Sequence, residues 1–146
     1  MMDINQRVRA ILLTDQQHVL LFKRVRPGVT PYWVAPGGGI EASDTGPEAA
    51  LSREMMEELG ATVEIVRYAF VYDHRSTANR IIRQLFYLCR LIDRDPSRRT
   101  APEFDDPARG QYIVEEVPLQ RRTLNQLNIQ PHDLQTYLAE MSELCV

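Results

Sequence analysis

Cysteine is nearly missing from this chain. Its 146 residues carry two, Cys89 inside an apolar run and Cys145 next to the end, which provides neither a disulfide framework nor a metal-ligand spacing. Both are expected as free thiols. No apolar run approaches the roughly 18 residues that a membrane-spanning helix needs, so no membrane partner is expected. A basic excess is also lacking: 17 Lys and Arg stand against 20 Asp and Glu, a net charge of -3, which argues against long nucleic acid as a partner. Lysine occurs once, at Lys23, and the other cations are arginines, whose planar fork suits phosphate oxygens, although the base composition of a gene can give the same bias. The opening MMDINQRVRAILL fits neither a signal nor a transit peptide, and a cytoplasmic location is expected.

What is present is ordinary in bulk. A hydrophobic content of 44% with 25% charged residues and this length point to one globular domain over residues 1–146. Residues 7–13 and 18–25 are rich in Val, Ile, Leu and Phe around a polar turn at 14–17, which reads as two strands. Residues 26–39 hold Pro27, Gly28, Pro31, Pro36 and Gly37 to Gly39, a density of breakers that reads as a loop. Residues 62–72 and 81–92 read as strands of a well-buried sheet, 93–110 as a polar surface loop, and 111–117 as a short strand. After Pro131, the spacing of Leu134, Tyr137, Leu138 and Met141 predicts an amphipathic C-terminal helix.

The informative stretch is GGGIEASDTGPEAALSREMMEELG, residues 37–60. Its second half reads as a helix with marked ends: Thr45 and Glu48 have the spacing of a capping box, Pro47 suits the first turn, and Gly60 suits a left-handed stop. On that helix Leu51, Met55 and Leu59 form a buried stripe, while Glu54, Glu57 and Glu58 stand at i, i+3 and i+4 on one face. Three clustered carboxylates repel one another, and the negative end of the helix macrodipole aggravates this. Arg53 can neutralise one of them, and a hard divalent cation would offset the cluster more fully. Alone, E-x-x-E-E reads as a solvated acidic face and the glycine run as a turn. Joined at this spacing they form a specific signal, because the glycines offer carbonyl oxygens and close approach beside the acids.

This stretch resembles the Nudix box, whose pattern is G-x5-E-x7-R-E-U-x-E-E-x-G-U with U a bulky aliphatic residue. Gly38, Arg53, Glu54, Met55, Glu57, Glu58 and Gly60 match it, and Trp33 with Pro36-Gly37-Gly38 resembles the usual entry to the box. Leu127-Asn128-Ile129-Gln130-Pro131 resembles the family further along the chain. Three positions depart: Asp44 stands where the first Glu belongs, one extra residue precedes Arg53, and Ala61 replaces the final aliphatic. On a late strand, Gln111 precedes Tyr112 where many relatives carry Glu.

The resemblance implies an α/β fold, a Nudix-type α/β/α sandwich with a central mixed sheet. It also implies a MutT-like pyrophosphohydrolase that cleaves a nucleoside diphosphate linked to another group, either a nucleoside triphosphate or a nucleotide sugar such as ADP-ribose. Mg²⁺, with Mn²⁺ as a substitute, would be held by Glu54, Glu57, Glu58 and the carbonyl of Gly38, with Arg53, Glu57 and Glu58 as the catalytic set. The partner is then a small nucleotide, and the resemblance allows a homodimer. A non-catalytic nucleotide-binding sensor on the same fold is the alternative. Arg24 and Arg26 are candidates for substrate phosphates, with a solvated strand end as the rival reading. Glu103, Asp105 and Asp106 are candidates to replace the carboxylate missing at Gln111.

Overall fold

The structure is a computed structural model and describes residues 2–100 and 107–144. In chain order the elements are β1 (Asp3–Leu13), β2 (His18–Arg26), β3 (Val29–Val34), β4 (Gly37–Gly39), α1 (Pro47–Leu59), β5 (Ala61–Thr77), β6 (Arg80–Arg94), β7 (Gln111–Pro118), α2 (Arg121–Asn125) and α3 (His132–Leu144). Short 3-10 turns lie at Pro96–Arg98 and Pro107–Arg109. Among the described residues no helix is long and apolar enough to cross a membrane. The chain divides into two compact units, Met1–Leu12 with Pro36–Thr100 and Leu13–Ala35 with Ala101–Val146.

In the first unit β6 lies between β1 and β5, and β4 pairs antiparallel with β1. That pairing sets Gly37, Gly38 and Gly39 opposite Arg9, Val8 and Arg7. The strands expected at 62–72 and 81–92 are present, longer at both ends, and form an antiparallel hairpin. They are less buried than expected: Phe86, Leu88 and Cys89 are buried, but Val66, Tyr68, Val71 and Ile92 are exposed. An antiparallel hairpin needs cover on one face only, so apolar composition alone overstates its burial.

Helix α1 contacts β4 and β5. Leu51, Met55 and Leu59 are buried as the stripe requires, each contributing about 1.5–3 kcal/mol by removal from water. Gly60 ends the helix at φ 63° and ψ 32°, and its N–H bonds the carbonyls of Met55 and Met56. The start of the helix corrects the expectation. The cap position is held by Gly46, which has no side chain to accept a bond, so the capping box of Thr45 with Glu48 does not form. Pro47 sits in the first turn, where its missing N–H costs nothing.

The second unit is centred on β2, which pairs antiparallel with β3 and with β7 over shared residues and therefore lies between them. Much of the expected loop at 26–39 is thus strand. Pro31 escapes the usual penalty because it falls at a register shift where Arg24 faces Tyr32 and Arg26 faces Val29, a bulge in which a missing N–H is tolerated. The Trp33 N–H donates to Asn128 O and the Gln130 N–H to Trp33 O, a parallel bridge to Ile129 that makes the strand pairing mixed. Helix α2, not anticipated from sequence, contacts α3 and β7. The C-terminal helix is as expected, with Leu134 and Leu138 buried.

Candidate active site

The acidic residues of α1 are not equivalent. Glu58 and Glu54 are only 5% and 8% exposed, whereas the side chain of Glu57 is 36% exposed. Glu58 is committed: its Oε1 accepts the Gly37 N–H at 2.7 Å. Glu54 lies against the glycine strand so closely that a Cβ at Gly38 would stand 2.6 Å from its Cδ and Oε1. Only glycine lets the backbone approach the carboxylate there. At Gly37 the constraint is backbone on backbone, with φ at +149° and a Cβ that would meet Val8 O at 1.9 Å.

Arg53 organises the remaining charge. Its Nε and Nη2 grip Asp44 through both carboxylate oxygens, at 3.0 and 2.8 Å. Its Nη1 donates to Glu54 at 3.1 Å and Glu57 at 3.2 Å, and its Nη2 also reaches the Gly39 carbonyl at 3.0 Å. One cation thus joins the loop to the helix and draws two glutamates to a single nitrogen. The fork from Arg53, followed by the Glu41 N–H, holds the Asp44 carboxyl below the ordinary aspartate range. In return the bond to Asp44, opposed by partial burial and reinforced by the charge of Glu54, pushes the Arg53 pKa up. The Asp at position 44, a departure from the family pattern, therefore has a defined place as the anchor of Arg53.

The C-terminal end of α1 receives donors that the sequence reading did not find. The Thr100 N–H binds Glu57 O, while Asp95 N and Arg98 Nη2 both bind Gly60 O. These satisfy helix carbonyls and place a cation at the negative end of the dipole. The signal lay in Asp95-Pro96-Ser97, whose aspartate accepts from the N–H and hydroxyl of Ser97 and starts the turn that carries Arg98.

Glu54, Glu57, Glu58 and the Gly38 carbonyl are all hard oxygen donors, the chemistry that suits Mg²⁺. The glycine strand, held against Glu54 where a Cβ would intrude, fits that use. As the side chains stand, no three His, Cys, Asp or Glu among the described residues converge as metal ligands. Glu54 and Glu57 are gathered on Arg53 instead.

The expected phosphate contacts belong to the other unit. Arg24 stacks on Tyr112 with its guanidinium carbon 3.7 Å from the ring centroid, and it donates to the Arg109 carbonyl. It is engaged with protein rather than left as a solvated strand end. Arg26 is exposed at the end of β2. Glu103, Asp105 and Asp106 lie outside the described residues.

A profile of the NUDIX domain matches residues 4–140. The chain belongs to the Nudix family. No curated protein matches it. Solved Nudix structures agree with its fold over most of its length. A NUDIX hydrolase from Nitrosomonas europaea is 18% identical with a TM-score of 0.69, covering 94% of this chain and 87% of that one. The E. coli ORF135 protein is 22% identical with a TM-score of 0.65, at 99% and 93% coverage. A MutT NUDIX hydrolase from Burkholderia pseudomallei is 26% identical with a TM-score of 0.60, at 80% and 84% coverage. The loop and helix just described are this chain's Nudix box, and the expected α/β class with a mixed sheet agrees with the family fold.

Proposed function

We propose that residues 1–146 form a single Nudix domain and a divalent-metal-dependent pyrophosphohydrolase, acting on a nucleoside diphosphate linked to another group. The observation that carries this reading is the convergence of the Gly38 backbone, Glu54, Glu57 and Arg53, with Glu58 fixed on the Gly37 N–H beside them. Glu54, Glu57, Glu58 and the Gly38 carbonyl are the residues that would hold Mg²⁺ or Mn²⁺. When bound, the metal supplies positive charge for the diphosphate oxygens and makes water more acidic.

The chain's own groups divide the remaining work. Arg53 balances and orients the glutamates, and Asp44 fixes Arg53 by gripping the guanidinium on the side away from Glu57. Glu58, with one oxygen occupied by Gly37, serves position. Glu57 is the more exposed carboxylate and the one we assign to receive the proton of the attacking water, its oxygen being shared with a single arginine nitrogen that can release it. The substrate is a nucleoside triphosphate or a nucleotide sugar.

The test is a panel of triphosphates, nucleotide sugars and dinucleoside polyphosphates, assayed for phosphate or pyrophosphate release or for new monophosphates. Mg²⁺-dependent cleavage of at least one compound is expected. Binding without turnover across the panel would favour the sensor. Thermal melts in EDTA and in millimolar Mg²⁺ complement the panel: the cation binds folded carboxylates and not the open chain, so the midpoint should rise. An unchanged midpoint would remove the support for a metal site on α1.

A further inference from the structure

The glycine strand β4 is held from both sides. On the helix side Glu58 Oε1 accepts the Gly37 N–H at 2.7 Å. On the β1 side the Arg9 guanidinium donates Nη1 to the carbonyl of the same residue, Gly37, at 3.2 Å. Arg9 is in turn fixed by β6, where its Nε donates to Gln84 Oε1 at 2.9 Å. Gln84 lies 75 residues from Arg9 in sequence. A chain of contacts therefore runs from Gln84 through Arg9 and Gly37 to Glu58. Nothing in the family pattern quoted above includes Arg9 or Gln84.

The ladder to β1 places Gly37 opposite Arg9, and the Arg9 and Glu58 side chains add a hold on its carbonyl and on its N–H. The Gly37 φ of +149° is a conformation that residues with a side chain rarely adopt, and β4 is only three residues long. A short glycine strand has high conformational freedom; the Gly37 carbonyl belongs to the peptide that leads to Gly38 beside Glu54, and only the Gly37 Cα separates it from the N–H that Glu58 accepts. A planar guanidinium is well suited to the task, since it donates to two acceptors at a fixed angle, whereas an ammonium is a single point of charge. The Gln84 amide oxygen orients the fork without adding a further negative charge near the glutamates.

We infer that Arg9, oriented by Gln84, is a positioning residue that holds the Gly37 carbonyl, and with it the peptide to Gly38, while Glu58 holds the Gly37 N–H, and so sets the geometry of the glycine strand against the catalytic helix. For its effect on turnover this rests on the proposed hydrolase reading. For its effect on the peptide it does not.

The experiment compares wild type with Arg9→Met, Arg9→Lys and Gln84→Leu, the last removing one hydrogen bond only and guarding against misfolding at Arg9. Amide hydrogen exchange by NMR is read at Gly37 and, as a control away from β4, at Gly60, whose N–H bonds Met56 O at the end of α1. In Arg9→Met the Gly37 amide should exchange about tenfold or more faster while Gly60 keeps its rate. Gln84→Leu should change Gly37 in the same direction by less, and Arg9→Lys should restore part of the protection. With an active substrate from the panel, kcat should fall about tenfold or more in Arg9→Met with KM within about twofold. Unchanged Gly37 exchange in Arg9→Met, or equal acceleration at Gly60, would overturn the inference whether or not the wild type is a hydrolase. Full turnover per folded molecule in an active background would overturn it as well. A wild type without hydrolysis would instead count against the hydrolase reading, and the exchange arm would still decide the role of Arg9.

Discussion

Adjacent glycines should respond in opposite ways to the same substitution. At Gly38 an added methyl group would stand 2.6 Å from the Glu54 carboxylate, which must retreat by about 0.8 Å to restore ordinary contact near 3.4 Å. The obstacle is the far end of a flexible side chain, so the fold can yield. The site cannot, because metal-ligand distances tolerate about 0.2 Å and a misplacement near 1 Å can cost on the order of a hundredfold in rate. We therefore expect Gly38→Ala to lower kcat/KM by about a hundredfold, roughly 2.7 kcal/mol of transition-state stabilisation. Its stability should change by less than about 1 kcal/mol, since the lower entropy of the unfolded chain offsets a weakened contact between Glu54 and Arg53.

At Gly37 the methyl group would meet the Val8 carbonyl at 1.9 Å, with φ at +149°. Neither the backbone of β1 nor this conformation can give way cheaply, and Gly37→Ala should cost about 3 kcal/mol or more, a fall of roughly 10 °C in Tm. The assay pairs thermal melts of both variants with Mg²⁺-dependent hydrolysis per folded molecule. If Gly38→Ala were as unstable as Gly37→Ala, or stable and within about threefold of wild-type turnover, the reading of Gly38 as the close approach to a working carboxylate would be wrong.

Glu57→Gln should cut kcat by at least about a hundredfold while the metal-free Tm holds within about 2 °C, because the half-buried i,i+4 pair with Arg53 and the repulsion from neighbouring glutamates are each worth only about 0.3–0.5 kcal/mol and oppose one another; a destabilised but fully active variant would refute the assignment. Gln111→Glu should leave activity intact or raise it, and a loss beyond about tenfold would show that the exposed start of β7 is tuned for the amide. Because the folded pKa of Asp44 is depressed, its stabilising contribution is present above the unfolded value near 3.9 and disappears as pH falls through the folded value. Urea melts at pH 6 and pH 3 should therefore show Asp44→Asn destabilised at the first and much closer to wild type at the second; an equal deficit at both would exclude a charge-based role.

The sequence by itself determined what depends on neighbours along the chain. The 3.6-residue period placed Leu51, Met55 and Leu59 in the core and the three glutamates together, and Gly60 could be read as a stop because few other residues adopt a left-handed conformation cheaply. Arg-Glu-x-x-Glu-Glu, joined to the glycine run, likewise marked the candidate site, since a repulsive cluster beside open backbone suits a cation. What only the tertiary structure decided depends on which strand or side chain arrives from elsewhere. Residues 37–39 are strand because β1 supplies a partner, and Pro31 is tolerated because a bulge falls there. Glu58 is the committed carboxylate and Glu57 the more accessible one because β4 approaches one side of α1, a distinction that spacing cannot make. Asp44 read as a mismatch until Arg53 was seen to grip it, and Arg9 and Gln84 carried no local signal at all. Period, turn chemistry and like-charge repulsion act over a few residues and are written in order along the chain, whereas burial and hydrogen-bond partnership are properties of contacts that only the folded chain creates.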